Sequence, residues 1–505
     1  MARRFHAVAG ALGAATSLAV SELAAGVFPS FPSLVEEVGD VVVDNVPAGV
    51  KDWAIATFGT YDKPVLLAGI VVVAFLAGAL VGAASGRRRW LATVVFWGFG
   101  ALAAAAAIVE RASPLGAIFA GAVAAAAGRA VHSWLARRAD AVRDGEGYDP
   151  SRRSFLVGAG ATVAVVVLSA GAGRLLLDRA RRIVAGRESV VLPSAVSPVP
   201  VPPPAASFPA AGLSPLITPN EDFYRIDTAL SVPRVDLSAW RLRISGMVDR
   251  PYELTFDQLL NTDLVERYVT LACVSNEVGG DLVGNAAWLG VPLADVLDKA
   301  GVQPDASQVV GRSVDGFTVG FPTEVVFDGR DALVAVGMNG EPLPLEHGFP
   351  ARLVVAGLYG YVSATKWLAE IELTTWDAFD AYWVPRGWAK EGPVKTQSRI
   401  DTPRAGDRLT PGEQVIAGVA WAPNTGIERV EVQIDDEPWV EAELAEPLGI
   451  GAWRQWRLAW TARPGRHVLK VRATDRNGVT QTEDRAPPAP DGATGWHTVR
   501  VRVEA

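Results

Sequence analysis

The stretch Thr270-Leu271-Ala272-Cys273-Val274-Ser275-Asn276-Glu277-Val278-Gly279-Gly280 contains the only cysteine of this 505-residue chain. The alternating apolar run from Val265 to Ala272, which ends just before it, predicts a β-strand. Two glycines close the stretch, and glycine lets the backbone approach another group closely. A thiolate at a strand end can bind a soft metal. The alternative is a buried structural thiol, because free cysteine also packs as a small hydrophobe.

Two later stretches favour the metal-binding interpretation. They read Glu346-His347-Gly348-Phe349-Pro350-Ala351-Arg352-Leu353-Val354-Val355 and Ala364-Thr365-Lys366-Trp367-Leu368. In this order, the cysteine stretch resembles the molybdenum-ligand segment of the sulfite oxidase family of molybdopterin oxidoreductases, and the other two resemble that family's pterin-binding segments. The resemblance extends from about Ser214 to Ala505.

The resemblance implies a molybdenum atom held by one cysteine thiolate and by the dithiolene of a pterin. Cys273 then matches the protein ligand of the metal, and the cofactor supplies oxygen-atom or two-electron chemistry. Arg352 offers a bidentate fork and Lys366 a point charge for the cofactor phosphate. His347 and Thr365 fall in the same matched stretches. Taken singly, Arg352 and Lys366 could equally be surface residues, and His347 a hydrogen-bonding loop residue.

Further candidate residues come from the stretch Asn220-Glu221-Asp222-Phe223-Tyr224-Arg225, which resembles the family's first cofactor-contacting segment. The resemblance implies cofactor contacts for Asn220, Phe223 and Tyr224, and a hydroxyl contact for Ser313. Three arginines are candidates for binding an anionic substrate at the catalytic centre: Arg225, Arg312 and Arg386.

The chain departs from the sulfite oxidases at two places that concern substrate. Where they carry Arg-Asn-His after the Phe-Tyr pair, this chain reads Arg225-Ile226-Asp227. Trp388 stands where they carry an active-site tyrosine. These departures leave the substrate open between a small oxyanion and a sulfoxide-like compound.

Composition excludes several other classes of protein. The net charge of −8 argues against nucleic acid as a partner. A single cysteine excludes an intramolecular disulfide and an iron–sulfur cluster with several cysteine ligands. Half of the residues are hydrophobic, and the apolar excess lies near the N-terminus. That distribution predicts a membrane part.

Five apolar segments of roughly membrane-spanning length precede residue 180. They cover about residues 7–28, 64–84, 90–109, 115–135 and 155–177. Arginines occur before the first segment and in every second connection after it. They are Arg3 and Arg4 before the first segment, Arg87, Arg88 and Arg89 between the second and third, and Arg137, Arg138, Arg143, Arg152 and Arg153 between the fourth and fifth. The other two loops carry Glu36, Glu37, Asp40 and Asp44, and Glu110 and Arg111. The positive-inside rule predicts a cytoplasmic N-terminus and an extracytoplasmic chain after the fifth span. The alternative is the helical bundle of a soluble protein.

The boundary of the fifth segment carries Ser151-Arg152-Arg153-Ser154-Phe155-Leu156, which resembles a twin-arginine export signal in an internal position. Two more cytoplasmic arginines are an equally good interpretation. The proline-rich stretch 198–204 predicts a stiff spacer within a linker over residues 189–213. Residues 1–188 form the predicted five-helix transmembrane bundle.

The predicted fold is multi-domain, with an α+β molybdopterin domain over residues 214–394 and an immunoglobulin-like β-sandwich over 395–505. In the first, strands are expected at 240–248, 265–272, 352–356 and 366–374, and helices at 256–260 and 288–297. In the second, strands are expected at 415–421, 427–434, 453–461, 467–474 and 496–503. The sandwich resembles the family's dimerisation domain, so a homodimer stays open.

These features together predict a membrane-anchored, extracytoplasmic molybdopterin-dependent oxidoreductase. Electrons are expected to pass to an external cytochrome or to quinone. No bound haem is expected, because the only histidines near the spans, His6 and His132, lie at the cytoplasmic ends. One alternative is a catalytically silent membrane-tethered binding protein that retains the fold. Another is a thiol hydrolase with His347, His467 or His497 as the base.

Overall fold

The chain was analysed as a computed structural model that describes residues 2–28, 31–47, 50, 53–54, 57–58, 61–85, 88–109, 113–142, 150–233 and 235–504. Two compact units form: Met1–Val184 with Asp227–Pro233, and Ala185–Ile226 with Arg234–Ala505. Four of the loop charges used to predict orientation lie outside the described residues: Arg87, Glu110, Arg111 and Arg143.

The first unit is helical. Its helices are α1 (Ala2–Val27), α2 (Leu34–Asn45), α3 (Asp62–Ser85), α4 (Arg89–Val109), α5 (Pro114–Val142) and α6 (Pro150–Ala185). All except α2 are long and apolar enough to cross a membrane, which confirms the five predicted segments.

Helix α2 corrects the prediction that its acidic residues lie in a loop. The Ser33 hydroxyl caps the helix by accepting a bond from the Glu36 amide at 3.4 Å. Glu36 and Glu37 occupy the first turn, where acidic side chains stabilise the helix dipole. At 12 residues, α2 is too short to span a bilayer.

Small residues allow α1 and α3 to pack closely. A methyl group on Gly10 would overlap the carbonyl oxygen of Gly78, and one on Gly82 would overlap the carbonyl oxygen of His6. Close backbone approach through glycine is typical of helices packed in lipid.

Buried polar side chains of this unit contact one another. Arg174 pairs with Glu36 and lies 3.5 Å from Glu22. Ser231, in the segment Asp227–Pro233, donates to Glu36 at 3.0 Å. His6 lies 3.0 Å from Asp140, and His132 lies 3.2 Å from the hydroxyl of Ser85. Both histidines therefore have protein partners.

The second unit begins with an α+β part built on two sheets. One has the order β3 (Val265–Ala272), β4 (Val283–Pro292), β7 (Ala332–Met338), β8 (Glu341–Pro342), and β9 (Arg352–Val355) also pairs with β7. The other has the order β2 (Tyr252–Thr255), β1 (Arg241–Gly246), β10 (Leu368–Thr374), β5 (Gln308–Ser313), β6 (Thr318–Pro322). Short helices α7 (Phe256–Leu260), α8 (Leu293–Ala300) and α9 (Gly360–Ser363) complete it.

One predicted helix of this part is wrong in its first half. Residues Trp288 to Pro292 end strand β4, where they pair with β3 and β7, and helix α8 starts only at Leu293. Pro292 is the residue that caps α8. The apolar run Trp288-Leu289-Gly290-Val291 is too short for its period to separate helix from strand.

The C-terminal part is a β-sandwich. One sheet has the order β11 (Gln397–Thr402), β13 (Gly412–Trp421), β17 (Arg454–Ala462), β16 (Glu443–Leu444). The other has β12 (Arg408–Leu409), β19 (His497–Val503), β18 (Gly465–Asp475), β14 (Ile427–Ile434), β15 (Val440–Glu441). Side chains from both sheets, including Ile416, Trp456, Val430 and Val471, share one buried core.

The predicted proline-rich spacer packs along the second unit. Ser197 forms a parallel bridge with Val265 at the start of β3. The Tyr268 hydroxyl donates to the Pro200 carbonyl at 3.1 Å, and the Phe208 amide donates to the Gln455 side chain at 2.9 Å. Part of the proline-rich stretch therefore covers the edge of β3.

Candidate functional site

Cys273 is the first residue of the loop that joins the hairpin strands β3 and β4. Its amide donates to the Leu282 carbonyl at 2.9 Å, which continues the β3–β4 ladder by one step. The residue is 7% exposed. Burial raises the pKa of the Cys273 thiol, although hydrogen bonds from Ser275 favour the thiolate.

Tyr224 lies within electrostatic reach of both Cys273 and Arg352. Burial raises the pKa of the Tyr224 hydroxyl; the Cys273 sulfur raises it further, while the Arg352 guanidinium lowers it. Cys273 follows β3, Arg352 begins β9 and Tyr224 lies in the segment before β1. The fold thus brings together three residues taken from three separate stretches of the sequence.

Arg352 carries a charge that no acidic side chain of the described residues neutralises. Its guanidinium is 5% exposed, donates to the His347 carbonyl at 3.1 Å and lies 5.0 Å from the centre of the Trp288 ring. Burial lowers its pKa to about 10. A buried cation is costly unless it meets an anion. The arrangement therefore fits an anionic group such as the phosphate of a cofactor.

His347 is held in one tautomer. Its Nε2 atom lies 2.9 Å from the carbonyl oxygen of Asn220, and a carbonyl can only accept, so Nε2 carries the proton. Burial lowers the pKa of His347 to about 4, and the nearby charge of Arg352 lowers it as well. The ring is therefore neutral at pH 7, and Nδ1 remains an acceptor.

The two stretches that resemble pterin-binding segments, residues 346–355 and 364–368, pack against each other. Gly348 has a φ of 108° and leaves no room for a side chain against the backbone of Lys366. The Lys366 ammonium donates to the Glu346 carbonyl at 3.1 Å. Trp367 adopts a φ of 49° and its indole donates to the Leu345 carbonyl at 2.8 Å. A left-handed conformation at a non-glycine residue is typical of functional sites.

Thr365 is fully buried, and its hydroxyl has no hydrogen-bond partner among the described residues. A methyl group on Gly311 would lie 2.5 Å from that hydroxyl, so the side chain points at β5. Ser313, at the end of β5, is 4% exposed, and its hydroxyl accepts a bond from the Asp315 amide at 3.4 Å.

Asn220 and Phe223 line the same region through protein contacts. The Asn220 amide donates to Glu341 at 2.6 Å and accepts from Asn339 at 2.8 Å. The Phe223 ring stacks on Tyr224 with centroids 5.3 Å apart, and meets His347 edge-on at 5.6 Å. Phe223 therefore connects Tyr224 to the His347 loop.

The three arginines proposed for an anionic substrate are placed differently. Arg312 is bonded to Glu372, and its guanidinium lies 4.8 Å from the Phe379 ring centre. Arg386 lies 3.7 Å above the Tyr382 ring and donates to the Tyr382 carbonyl at 2.6 Å. Arg225 is exposed. None of these recorded contacts, within the described parts of the chain, involves Cys273.

Trp388 lies in an aromatic group. Its ring centre is 5.9 Å from that of Tyr361 and 6.2 Å from that of Trp383. The Tyr361 hydroxyl donates to the Ala389 carbonyl at 2.8 Å. Trp388, the residue expected at the position of the family tyrosine, thus packs on a tyrosine from helix α9.

Sequence reasoning missed the residues that follow β9. Burial raises the pKa of Tyr359 to about 12, and the Cys273 sulfur adds to the effect. A methyl group on Gly360 would lie 3.8 Å from the Tyr224 hydroxyl and 3.9 Å from the Ala272 carbonyl. The signal that could have identified them is their position between Arg352 and Lys366, the two matched cations.

The histidines proposed as a base for Cys273 have other partners. His347 bonds Asn220, His467 lies 2.9 Å from Asp435, and the Nδ1 of His497 accepts from the Ile400 amide at 3.0 Å. The described residues contain no group of three or more histidine, cysteine, aspartate or glutamate side chains placed to hold a metal ion.

Comparison with known proteins identifies the same part of the chain. Residues 229–383 match the family described as "Oxidoreductase molybdopterin binding domain". The mitochondrial sulfite oxidase of Macaca fascicularis is 30% identical over 340 residues, which is 57% of this chain and 62% of that protein. The oxidoreductase YuiH of Bacillus subtilis (strain 168) is 34% identical over 157 residues, covering 31% of this chain and 76% of that protein.

Among solved structures, the sulfane dehydrogenase SoxCD from Paracoccus pantotrophus superposes with a TM-score of 0.50 at 25% identity. The match covers 63% of this chain and 92% of that one. The chain spans about 62% of the length of the sulfite oxidase it matches. The match to YuiH, the domain match and the site built around Cys273 and Arg352 agree, and the chain belongs to the sulfite oxidase family of molybdopterin-binding oxidoreductases.

Proposed function

We propose that this protein is a membrane-anchored oxidoreductase in which Cys273 provides the thiolate ligand of a molybdenum–molybdopterin cofactor. The observation that carries the proposal is the buried charge of Arg352, which has no carboxylate partner among the described residues and interacts with Tyr224, a residue that also interacts with Cys273. A phosphorylated cofactor would supply the missing anion, and its metal would displace the proton of the thiol.

When bound, the cofactor supplies oxygen-atom or two-electron transfer. The chain's own residues bind and orient it. Arg352 and Lys366 would hold the phosphate, and the buried Thr365 hydroxyl, which has no hydrogen-bond partner among the described residues, could donate to the cofactor. Neutral His347 presents an acceptor atom because its Nε2 is used by Asn220. Phe223 and Tyr224 would flank the cofactor, and Asn220 holds their segment through its bond to Glu341. Ser313 would be a further contact at the end of β5.

The five long apolar helices support membrane anchoring. The arginines of the predicted cytoplasmic loops support an extracytoplasmic position for the proposed cofactor domain, residues 214–394. Export in the folded, cofactor-loaded state would use the twin-arginine-like motif at Arg152 and Arg153. In our proposal residues 1–188 anchor the protein, 189–213 link the two parts, and 395–505 form an immunoglobulin-like, dimerisation-type sandwich.

The substrate is a small oxyanion or a sulfoxide-like compound. Arg312 pairs with Glu372, and Arg225 and Arg386 are the other two candidates for binding this substrate. The redox partner is an external cytochrome or a quinone.

The proposal is tested by measuring molybdenum and pterin in the full-length protein purified from cells that make the cofactor. We expect about one molybdenum per chain in the wild type, and a large loss in Cys273→Ser and in Arg352→Gln. Arg243→Gln is the matched control, because Arg243 is an exposed arginine ion-paired with Glu370 at 2.7 Å. Its cofactor content should equal that of the wild type.

Wild-type protein without molybdenum or pterin would favour the alternative of a catalytically silent, membrane-tethered binding protein. Equal loss in Arg243→Gln and Arg352→Gln would mean that the effect is one of general instability. Protein with cofactor is then screened with redox dyes against sulfite and sulfoxides, which distinguishes the two substrate classes.

A further inference from the structure

The loop that carries Cys273 is held at its far end by the C-terminal sandwich. Arg399 of β11 donates from Nη1 to the carbonyl oxygen of Gly280 at 2.7 Å. His497, the first residue of β19, packs flat against Gly279, whose φ is +81°. A methyl group on Gly279 would overlap the His497 ring. Gly279 therefore gives room to a sandwich residue, whereas a methyl group on Gly280 would meet Asn276 of the same loop.

Arg399 is itself rigidly placed. Its Nε atom bonds Asp401 at 2.6 Å, and its Nη2 atom bonds the Ser214 hydroxyl at 2.9 Å. Asp401 also accepts from the Ser214 amide at 3.0 Å. Arg399 and Asp401 are each 9% exposed. A buried, fully bonded guanidinium has little freedom, so the carbonyl of Gly280 has a fixed anchor.

The ring of His497 is held by Ile400, the residue that follows Arg399 in strand β11. Its Nδ1 atom accepts from the Ile400 amide at 3.0 Å, so Nδ1 is unprotonated and the ring cannot flip without losing this bond. The ring is neutral, since burial lowers its pKa to about 4. Strand β11 thus positions both contacts, one by the side chain of Arg399 and the other through the amide of Ile400.

A displacement at Gly280 reaches Cys273 because the loop between them is short and is held by its own hydrogen bonds. The Leu282 amide donates to the Asn276 side chain at 2.9 Å, and the Gly280 amide donates to the Glu277 carbonyl at 2.8 Å. Cys273 is bonded to Leu282 across the loop. A shift at Gly280 therefore moves the backbone that carries Cys273.

The strand before Cys273 is held by the sandwich as well. The Thr270 amide donates to the Gly451 carbonyl at 2.8 Å. The Thr270 hydroxyl accepts from the Trp453 amide at 2.7 Å. Sandwich residues thus contact the chain on both sides of the cysteine.

We propose that Arg399 and His497 are positioning residues, which set the direction in which Cys273 presents its sulfur to the metal. The inference rests on the proposed function, in which that sulfur is a molybdenum ligand. It gives the C-terminal sandwich a part in the catalytic centre that is independent of any partner the sandwich binds.

The test uses full-length Arg399→Lys and His497→Ala proteins. In cofactor-loaded protein we expect retained molybdenum, a shifted sulfur-to-metal charge-transfer absorption and a kcat lowered about 10- to 100-fold with KM unchanged. In cofactor-free protein we expect alkylation of Cys273 to become at least about tenfold faster, because the loop opens more often. The alkylation rate does not depend on catalysis.

The matched control is Arg457→Lys, which changes a sandwich arginine whose guanidinium bonds Glu443 at 2.7 Å and lies 4.3 Å from the centre of the Phe208 ring. All readouts should stay at wild-type values in this variant. His497→Ala removes one hydrogen bond and a ring, so it gives a folded variant even if Arg399→Lys unfolds.

The proposal is overturned if folded His497→Ala protein keeps the wild-type absorption, kcat and alkylation rate. A wild type that contains no molybdenum would instead overturn the proposed function. In that case an unchanged alkylation rate in His497→Ala would overturn the positioning role too, and a faster rate would support it.

Discussion

The two buried arginines of this region differ in the groups that their guanidinium charges contact. Arg352 and Arg399 are both buried arginines, 5% and 9% exposed. Arg399 bonds Asp401 at 2.6 Å, whereas Arg352 bonds carbonyl oxygens and faces Trp288. The sequence could identify Arg352 because it lies in a family-like stretch. It could not identify Arg399, whose importance comes only from the folded contact with Gly280.

The two arginines should respond in opposite ways in cofactor-free protein. Arg352→Met removes an uncompensated buried charge, so we expect unchanged or higher stability, by about 1 kcal/mol. Arg399→Met leaves Asp401 buried without its partner and should cost about 3–5 kcal/mol. Denaturant unfolding followed by tryptophan fluorescence measures both. Equal destabilisation by the two changes would mean that the protein itself neutralises Arg352.

Two histidines, the buried His347 and the half-buried His497, make the stability depend on pH. The pKa values of His347 and His497 are lowered from 6.5 to about 4 by burial. Between these values the unfolded chain takes up protons that the folded chain excludes, so the free energy of unfolding falls as pH is lowered from 6.5 to about 4. His497→Gln should make this dependence shallower in denaturant titrations. A slope equal to that of the wild type would contradict the neutral state of His497 in the folded protein.

Secondary-structure elements could be predicted where the pattern of apolar and polar residues was clear. The strand Val265–Ala272, the helix Phe256–Leu260 and the strand Ile427–Ile434 were predicted with the observed bounds. The run Trp288–Leu297 was assigned wrongly because it joins a strand to a helix at Pro292. Helix α2 was missed because its charges were interpreted as a loop.

The packing of α1 on α3 makes a prediction at the scale of elements. Gly82→Val places a side chain against the backbone of α1, so we expect a lower thermal unfolding temperature in detergent. Gly69→Val is the matched control on the same helix, because a methyl group there meets no atom within 4 Å. Equal unfolding temperatures for the two variants would contradict the close contact between α1 and α3.

At the scale of the whole molecule, the sequence separates a helical unit from a sheet-rich unit, and the structure has both. The sequence did not reveal that the segment Asp227–Pro233 belongs to the helical unit, where Lys63 donates to the Asp227 and Ala229 carbonyls at 2.7 and 2.5 Å. Such long-range contacts depend on tertiary packing, which no local pattern encodes.

The proposed orientation can be tested with the chain's single cysteine as background. Cys273 is buried, so wild-type protein should react little with a membrane-impermeant maleimide. Val201→Cys places a thiol at a position that is 88% exposed. It should be labelled in cells whose outer envelope is permeable to the reagent while the inner membrane stays intact. Arg4→Cys should be labelled only after the inner membrane is broken. The reverse pattern would contradict the proposed sidedness.

The most direct test of the proposed metal ligand is the X-ray absorption spectrum of molybdenum in the full-length protein. We predict sulfur scattering from the two dithiolene atoms plus one thiolate in the wild type, and the loss of one sulfur in whatever molybdenum Cys273→Ser retains. A wild-type spectrum with only the dithiolene sulfurs, unchanged in Cys273→Ser, would contradict the assignment of Cys273 as the protein ligand.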